Sequence, residues 1–337
     1  MNLLDKSSPP LHSEYSIIDR IQAVIVLFRP HQYYKNLLVF FGLFFSGNLF
    51  RIDLWIPVIL AFVALCLVSS LNYIINDFRD REKDKFHPEK SHRPFPSGKI
   101  STSLATVLML ILIMTVVFIV VIIPISSEGV GSQEAIITIP SKTAFILVLM
   151  GLFVTSQLYS LLLKQIVFAD IVTISVNYVW RAIAGAVLIS VSVSPWLIIL
   201  CFVTAMMLSI AKRKGDLSIL GTEAKKHKKV FESYTAELLD QSLATIAAIE
   251  ILAIFIYLIE RHPKETVFIV VALPVITFGI FRFLYLVSMN SVVGRKAEKL
   301  FFDKQILLAG ALIVFLFFVA IYFPNLLDNL IGIPDPT

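Results

Sequence analysis

The chain has little charge and almost no cysteine, and each shortage excludes a class of protein. Charged residues make up 16% of its 337 residues, well below the share of about 25% in soluble globular domains. Its two cysteines, Cys66 and Cys201, both lie inside apolar runs, so we expect buried thiols rather than a disulfide or a metal–thiolate site. The first fifteen residues lack the basic-then-apolar order of a cleaved signal peptide, which predicts that the first membrane helix inserts uncleaved.

Apolar residues, in contrast, dominate the whole length. They account for 57% of the chain, and the mean hydropathy is +0.84. Apolar runs of about twenty residues, the length that a membrane helix needs, recur from end to end. The sequence therefore predicts an all-α polytopic membrane protein with nine transmembrane helices, preceded by an interfacial helix at 16–28. The predicted spans are residues 33–50, 54–76, 102–123, 142–161, 167–189, 195–211, 240–259, 265–287 and 304–323.

Lysine and arginine are concentrated in alternate connections between these spans. Seven lie in loop 79–99, seven in 212–229 and four in 295–304, whereas 124–141 and 190–194 contain none. The positive-inside rule places the basic loops in the cytoplasm. The net charge of +5 comes largely from these loops, so it indicates membrane topology and phosphate binding rather than nucleic-acid binding.

Nine spans with this alternation predict a protein of the cell membrane with its N-terminus in the cytoplasm and its C-terminus outside. No linker divides the chain. We therefore expect a cytoplasmic N-terminal segment with the interfacial helix at 1–32, one transmembrane domain at 33–323 and an extracytoplasmic tail at 324–337.

The most informative motif is a run of acids and one amide that begins inside the second apolar segment. Asn76, Asp77, Asp80 and Asp84 are separated by three, four and seven residues, which puts them on one face if the helix continues. Their oxygens suit Mg²⁺, which usually keeps several waters and completes its coordination with substrate phosphates. A solvated loop that only enforces topology is the alternative, and the helical register of the acids argues against it.

Basic residues follow this run and also precede the first span. Lys90 and Arg93 come directly after the acids, and a diphosphate held between these cations and Mg²⁺ would have its leaving-group charge neutralised. The motif RPHQYYKN at 29–36 offers Arg29 and Lys35 as further phosphate contacts. An aromatic and basic anchor at the membrane interface is an equally weighted interpretation of that motif.

Further basic residues lie at the predicted cytoplasmic ends of later spans. Lys164 occupies a very short loop, and Lys212 and Arg213 end the sixth span in the sequence KRKGD. Arg282 lies near the cytoplasmic end of the eighth span. Each is a candidate contact for a phosphate group at the membrane surface.

Three other charged residues have structural interpretations. Asp170 opens a helix, where an acid interacts favourably with the helix dipole. Arg181 and Glu250 lie inside spans at comparable depth. Since isolated charges are costly in a bilayer, an ion pair between these two is the leading interpretation.

Taken together, the motifs resemble the UbiA superfamily of intramembrane prenyltransferases. That resemblance implies nine helices around a polar cavity, which we expect to open toward the cytoplasmic side. The family motif Asn-Asp-x-x-Asp-x-x-x-Asp closes helix two, and residues 76–84 match it in full. Typical members carry a second Asp-rich motif after helix six, where this chain has Lys212, Arg213 and Asp216. The departure puts the usual aromatic prenylation in doubt.

The chain resembles instead the decaprenyl-phosphate phosphoribosyltransferase branch. The marks of that branch are an RPxQxxKN entrance, the run from Asn76 to Gly98 and a Lys-Arg pair after helix six. The acid three residues beyond this pair is typically Glu and is Asp216 here, and Tyr33 and Tyr34 stand where Trp is more usual. The resemblance implies Mg²⁺-dependent transfer of ribose 5-phosphate from phosphoribosyl diphosphate to a polyprenyl phosphate, with release of diphosphate.

The resemblance also implies a role for each candidate residue. Asp77, Asp80 and Asp84 are the predicted catalytic acids, and Asn76, Asp80 and Asp84 are the predicted Mg²⁺ ligands. The predicted substrate contacts are Arg29, Lys35, Tyr73, Lys90, Arg93, Lys164, Lys212, Arg213 and Arg282.

The chemistry of this reaction suits the residues. A polyprenyl phosphate is already an anion at neutral pH, so the enzyme has to position two anions rather than supply a base or a nucleophile. A UbiA-type prenyltransferase that moves an isoprenoid chain to an aromatic or other polar acceptor is the first alternative. A non-enzymatic transporter is the second, although transporters place ionisable groups at mid-membrane more often than this chain does. The sequence leaves open whether the protein forms a homo-oligomer.

Overall fold

The computed structural model describes residues 16–85, 91–124, 129–130, 139–220, 229–262, 265–289 and 302–324, together with Leu326. This part of the chain is helical except for two short antiparallel strands, β1 Gly129–Val130 and β2 Ile139–Pro140. The α-helices, numbered in chain order, are α1 Ile17–Phe28, α2 Phe41–Phe45, α3 Trp55–Asp84, α4 Thr102–Ile122, α5 Ser141–Leu161, α6 Ala169–Leu188, α7 Pro195–Leu220, α8 Ala236–Arg261, α9 Thr266–Ser288 and α10 Lys304–Tyr322. Shorter 3-10 helices are Pro30–Phe40, Ile52–Leu54, Leu163–Gln165 and Lys229–Glu232.

Eight helices of the described chain, α3 to α10, are long and apolar enough to cross a membrane. Their outer faces carry large apolar side chains that water would not favour. On α4, for example, Leu110, Met114, Phe118 and Val121 are each more than half exposed and recur at helical spacing. The prediction of an all-α, multi-pass membrane protein is confirmed.

The first predicted span is where the structure departs most from the sequence-based expectation. The sequence predicts a transmembrane α-helix at 33–50, whereas the structure has the 3-10 helix Pro30–Phe40 followed by the five-residue α2. This segment runs antiparallel along α3. Its side-chain contacts pair Arg29 with Asp77, Tyr33 with Ser70, Asn36 with Cys66 and Phe40 with Phe62.

The backbone geometry explains this pairing. A 3-10 helix rises about 2 Å per residue and an α-helix about 1.5 Å. The eleven residues of Pro30–Phe40 therefore extend about 22 Å, the length of about fifteen residues of α3. The segment covers most of the length of a membrane span with fewer residues than an α-helix would need.

The chain divides into two compact units, of which the first contains Met1–Leu43, Arg51–Ser160 and Ile183–Ser192. In this unit α3 packs against α4, α1 and the 3-10 helix Pro30–Phe40. A hydrophobic cluster joins α1, α3, α4 and the loop before α4. Its buried members are Ala23, Leu27, Leu71, Ile74, Phe95, Ile100, Ala105 and Leu112.

Helix α1 is defined at both ends by its own side chains and backbone. Ser16 and Asp19 form a capping box, and the Ser16 hydroxyl holds the pKa of Asp19 below its usual value. The helix ends at Arg29, whose φ of 52° lies in the left-handed region, where residues other than glycine are uncommon. The outer side of α1 exposes Ile17, Ile21 and Ile25, a stripe that suits the interfacial position predicted for it.

Two glycines let backbones come into contact within the first unit. A Cβ atom added at Gly185 would lie 1.7 Å from the carbonyl oxygen of Val39, and one at Gly42 would lie 2.6 Å from the amide nitrogen of Ala186. The last turn of α6 can therefore approach the segment before α3 only because both positions lack a side chain.

The second unit contains Phe44–Phe50, Leu161–Ala182 and Val193–Thr337. Here α7 packs against α8, and α9 packs against α10. Aromatic rings fill much of the core, as in the edge-on contact of Phe268 with Phe317, whose centroids are 5.3 Å apart. Tyr322 joins α10 to α2 and to the connection after it, since its hydroxyl donates to the Phe44 carbonyl oxygen and accepts from the Leu49 amide.

Candidate active site

Helix α3 carries the predicted acids beyond its apolar part. Its thirty residues rise about 45 Å, whereas the hydrocarbon core of a bilayer is about 30 Å thick. The helix continues through Asp84, as the spacing of the acids predicts. Tyr73, Asp77, Asp80 and Asp84 consequently follow one face over its last turns.

Two arginines and two aspartates form an ion-pair network on this face. The Arg29 guanidinium donates to Oδ1 of Asp77 at 2.6 Å and to Oδ2 at 2.9 Å. Arg93 donates from one nitrogen to Asp77 at 3.1 Å and to Asp84 at 2.9 Å. Both aspartates are buried, while the two arginines are partly exposed. The structure thus brings together four of the predicted site residues.

Asn76 and Asp80 lie one helical turn apart beside this network. The side-chain oxygen of Asn76 is buried and accepts no hydrogen bond, which is costly unless another ligand completes it. Asp80 is partly exposed. Amide and carboxylate oxygens are the donors that Mg²⁺ prefers, so Asn76 and Asp80 fit such an ion. Within the described part of the chain, no three His, Cys, Asp or Glu side chains cluster as a ready-made metal site. Asp77 and Asp84 instead accept hydrogen bonds from arginines.

Gln32 links two further predicted substrate contacts. Its side-chain oxygen accepts from the Lys35 ammonium at 3.0 Å and from the Tyr73 hydroxyl at 2.7 Å. The Arg29 guanidinium lies over the Tyr73 ring, 4.9 Å from its centroid. Arg29, Lys35 and Tyr73 therefore form one polar group with Gln32, whereas Asn36 is buried and donates to the Cys66 sulfur.

The loop that contains Arg93 is anchored by a buried aromatic side chain. Phe95 is buried in the hydrophobic cluster of the first unit and packs edge-on against Phe78 of α3, with centroids 5.8 Å apart. Successive turns follow, in which the Ser97 amide donates to the Arg93 carbonyl, and Gly98 adopts a φ of 75°. A bulky buried side chain and two tight turns thus fix the position of Arg93 against α3. Lys90, also predicted as a substrate contact, lies outside the described residues.

Arg213, in the second unit, is engaged in a way that the sequence does not reveal. It is 3% exposed, and its Nε donates to Asp170 at 2.7 Å. The Tyr234 hydroxyl donates to the other oxygen of Asp170 at 2.7 Å and accepts from the Phe168 amide. Burial, with the hydrogen bond to Asp170 as a second cause, raises the pKa of Tyr234 far above its usual value.

Asp170 is thus more than the dipole partner predicted from its place at the start of α6. Only its acidic character near a helix start was visible in the sequence, because Arg213 and Tyr234 are separated from it by 43 and 64 residues. The neighbouring Lys212 is exposed, and Lys164 is partly exposed in the 3-10 helix Leu163–Gln165.

Arg282 donates to both oxygens of Asp303, the shorter contact being 2.7 Å. The Arg282 hydrogen bonds, followed by the amide of Ile306, hold the pKa of Asp303 below its usual value. Since Asp303 also accepts from the first amides of α10, this pair fixes the start of that helix.

The predicted pair of Arg181 with Glu250 is replaced by local contacts. Arg181 donates to the carbonyl oxygen of Asn177 and lies over the Tyr178 ring. One oxygen of Glu250 accepts from the Thr204 hydroxyl, and the other is buried without a hydrogen bond. Arg181 thus donates to a carbonyl one turn earlier in its own helix. The similar depth of Arg181 and Glu250 in the membrane, on which the prediction relied, did not lead to an ion pair between them.

Comparison with known proteins identifies related sequences. A family model described as the UbiA prenyltransferase family matches residues 37–303. The chain is 26% identical over 293 residues to the decaprenyl-phosphate phosphoribosyltransferase of Mycobacterium tuberculosis (strain ATCC 25618 / H37Rv), covering 85% of this chain and 90% of that protein. It is 29% identical over 224 residues to the protein of the same name from Mycolicibacterium smegmatis, covering 65% of this chain and 64% of that relative.

Solved structures share the fold. A UbiA homolog from Archaeoglobus fulgidus bound to DMAPP and Mg²⁺ superposes with a TM-score of 0.61 at 17% identity, covering 89% of this chain and 99% of the homolog. A digeranylgeranylglyceryl phosphate synthase superposes with a TM-score of 0.60 at 14% identity, covering 90% and 99%. The helical arrangement is common to all three proteins.

Proposed function

The chain belongs to the UbiA prenyltransferase family, and from this premise we propose that it transfers the 5-phosphoribosyl group of phosphoribosyl diphosphate to a polyprenyl phosphate. Diphosphate is the second product. Relatives that bear the name of this activity align with 85% of the chain. The observation that carries the proposal is the pair Arg29 and Arg93, which lies beside the uncompleted oxygen of Asn76.

That arrangement suits a phosphorylated donor accompanied by a divalent ion. Asn76 and Asp80 would hold Mg²⁺, and Asp84, which accepts from Arg93, would support the site. A bound Mg²⁺ would neutralise charge on the departing diphosphate. Arg29 and Arg93 bind phosphate oxygens through paired N–H donors, while Lys35 and Tyr73 are already oriented by Gln32.

The proposed reaction needs no proton transfer. The bond between ribose C1 and the diphosphate oxygen breaks, and its electron pair leaves with diphosphate. An oxygen of the polyprenyl phosphate then bonds to C1. The side chains of this site hold and orient anions. The two arginines, the ammonium of Lys35 and the phenol of Tyr73, which lie along the last turns of α3, are suited to that task.

The test is lipid extraction after incubation of the purified protein with labelled phosphoribosyl diphosphate, polyprenyl phosphate and Mg²⁺. Lipid-linked label is expected from the wild type. Asp80→Asn should lower the rate at least about 100-fold, because loss of an outer-shell partner of a metal already costs about 10- to 100-fold and Asp80 is proposed as a direct ligand. Consumption of an isoprenoid diphosphate, with phosphoribosyl diphosphate untouched, would instead establish a prenyltransferase.

We also propose that loops 79–99, 212–229 and 295–304 face the cytoplasm of a cell membrane. Their seven, seven and four basic residues support this orientation. The donor is water-soluble, so the face with Arg29 and Arg93 would be open to the compartment that supplies it. The N-terminus would then be cytoplasmic, and the C-terminus would lie outside.

A further inference from the structure

We propose that Asp77 is not a metal ligand but a positioning residue, which holds Arg29 and Arg93 together as a paired site for the phosphate groups of the donor. The identity of that donor rests on the proposed function. The pairing itself rests on the contacts of Asp77. It separates two roles within one acidic motif, because it assigns the metal to Asn76 and Asp80 and the phosphate-binding arginines to Asp77.

The carboxylate of Asp77 is already occupied. Its Oδ1 accepts from Arg29 at 2.6 Å and from Arg93 at 3.1 Å, and its Oδ2 accepts from Arg29 at 2.9 Å. A divalent cation bound to the same oxygens would lie next to two guanidinium groups, and like charges this close repel one another strongly. Asn76, one position earlier, has a buried oxygen with no such competitor.

The exposure of the three side chains shows which of them can meet a ligand. The side chain of Asp77 is 5% exposed, whereas those of Arg29 and Arg93 are 22% and 30% exposed. Asp77 is therefore shielded from solvent, and the two arginines lie between it and the solvent. This order suits an anion that binds to the arginines, and it would hinder a hydrated metal ion from reaching the acid.

The two arginines depend on a shared partner because they come from separate segments. Arg29 ends α1 with a left-handed φ of 52°, a conformation that surrounding contacts must maintain. Arg93 precedes the loop anchored by Phe95, which shares a hydrophobic cluster with Ala23 and Leu27 of α1. Packing brings the two segments together, and the charge of Asp77 offsets the repulsion that would otherwise separate the guanidinium groups.

The experiment compares Asp77→Asn with Asp80→Asn in the full-length protein in detergent. Mn²⁺ binding without substrate is followed by electron paramagnetic resonance, and binding of inorganic diphosphate at saturating Mg²⁺ by calorimetry. Asp77→Asn should weaken diphosphate binding about 10- to 100-fold, as loss of a supporting group typically does, and leave Mn²⁺ affinity unchanged. Asp80→Asn should weaken Mn²⁺ binding. The control is Asp53→Asn, an exposed acid paired with Arg51, which should change neither.

A loss of Mn²⁺ affinity in Asp77→Asn equal to that in Asp80→Asn would overturn the proposal, and so would unchanged diphosphate binding. If Asp77→Asn does not fold, Asp77→Glu takes its place, because it keeps the charge but displaces the guanidinium groups. The same two outcomes would then overturn the proposal. These measurements need no turnover. If the wild type fails to transfer phosphoribosyl groups, the proposed function is wrong, while the binding data still decide the role of Asp77.

Discussion

Asp170 is fully buried, and its two oxygens are satisfied by Arg213 and Tyr234. Removing one member of a buried ion pair leaves an uncompensated charge, which costs about 3–5 kcal/mol. We expect Asp170→Ala to destabilise the protein by about that amount, and Tyr234→Phe by about 1–3 kcal/mol through lost hydrogen bonds. Thermal unfolding in detergent measures both changes.

The matched control is Asp240→Ala, because Asp240 also pairs with a cation of α7, Lys214, but is half exposed. Exposed pairs contribute about 0–1 kcal/mol. An equal loss of stability in Asp170→Ala and Asp240→Ala would contradict the larger contribution expected of the buried pair.

At the residue scale, what could be predicted from the sequence depends on separation along the chain. The register of Asn76, Asp77, Asp80 and Asp84 follows from helical periodicity, and α3 indeed continues to Asp84. The partners of these residues do not follow from spacing. Arg29 reaches Asp77 across 48 residues, and which cation faces which acid depends on how the loop with Phe95 packs. The roles assigned to the individual site residues stay predictions.

Gly185 shows how one element constrains another. A side chain there would overlap the carbonyl oxygen of Val39 at 1.7 Å, so α6 and the segment before α3 would have to separate. We expect Gly185→Ala to lower stability by about 1–3 kcal/mol, the usual cost of overpacking. Gly310→Ala is the control, because Gly310 lies in α10 with nothing within 4 Å. An effect of Gly185→Ala no larger than that of Gly310→Ala would contradict the close approach.

At the element scale, hydropathy predicted eight of the nine spans, since α3 to α10 are all long and apolar enough to cross a membrane. The segment at 33–50 shares their apolar composition but not their conformation. Hydropathy indicates which residues leave water, but it does not distinguish a 3-10 helix from an α-helix, which differ in rise per residue. The 3-10 conformation of Pro30–Phe40 becomes visible only in its register against α3, where Tyr33 meets Ser70 and Asn36 meets Cys66.

At the scale of the whole molecule, the family could be predicted because a short motif coincided with a chain-wide hydropathy pattern. The match of the UbiA prenyltransferase family over residues 37–303 confirms that prediction. The division into two compact units could not be read from the sequence. Two of its boundaries fall inside α2 and α6, whereas sequence-based boundaries rely on changes of composition, and neither helix shows one there.

The number of membrane crossings can be tested without knowing the absolute orientation of the protein. If Pro30–Phe45 crosses the membrane, five crossings separate Ser16 from Ser192, which puts these residues on opposite sides. If only α3 to α10 cross, four crossings separate them and they share a side. Ser233 follows one crossing later, after α7, and serves as the reference for the other side.

We expect nine crossings, because Pro30–Phe40 runs along about 22 Å of α3 and α2 extends it toward the hydrocarbon thickness of about 30 Å. Ser16→Cys, Ser192→Cys and Ser233→Cys are labelled in sealed vesicles with a maleimide that cannot cross membranes. The background lacks Cys201 and retains Cys66, which is buried. Ser16→Cys should react from the same side as Ser233→Cys. Reaction from the side of Ser192→Cys would show that the 3-10 segment does not cross, and would place the N-terminus and the C-terminus on the same side of the membrane.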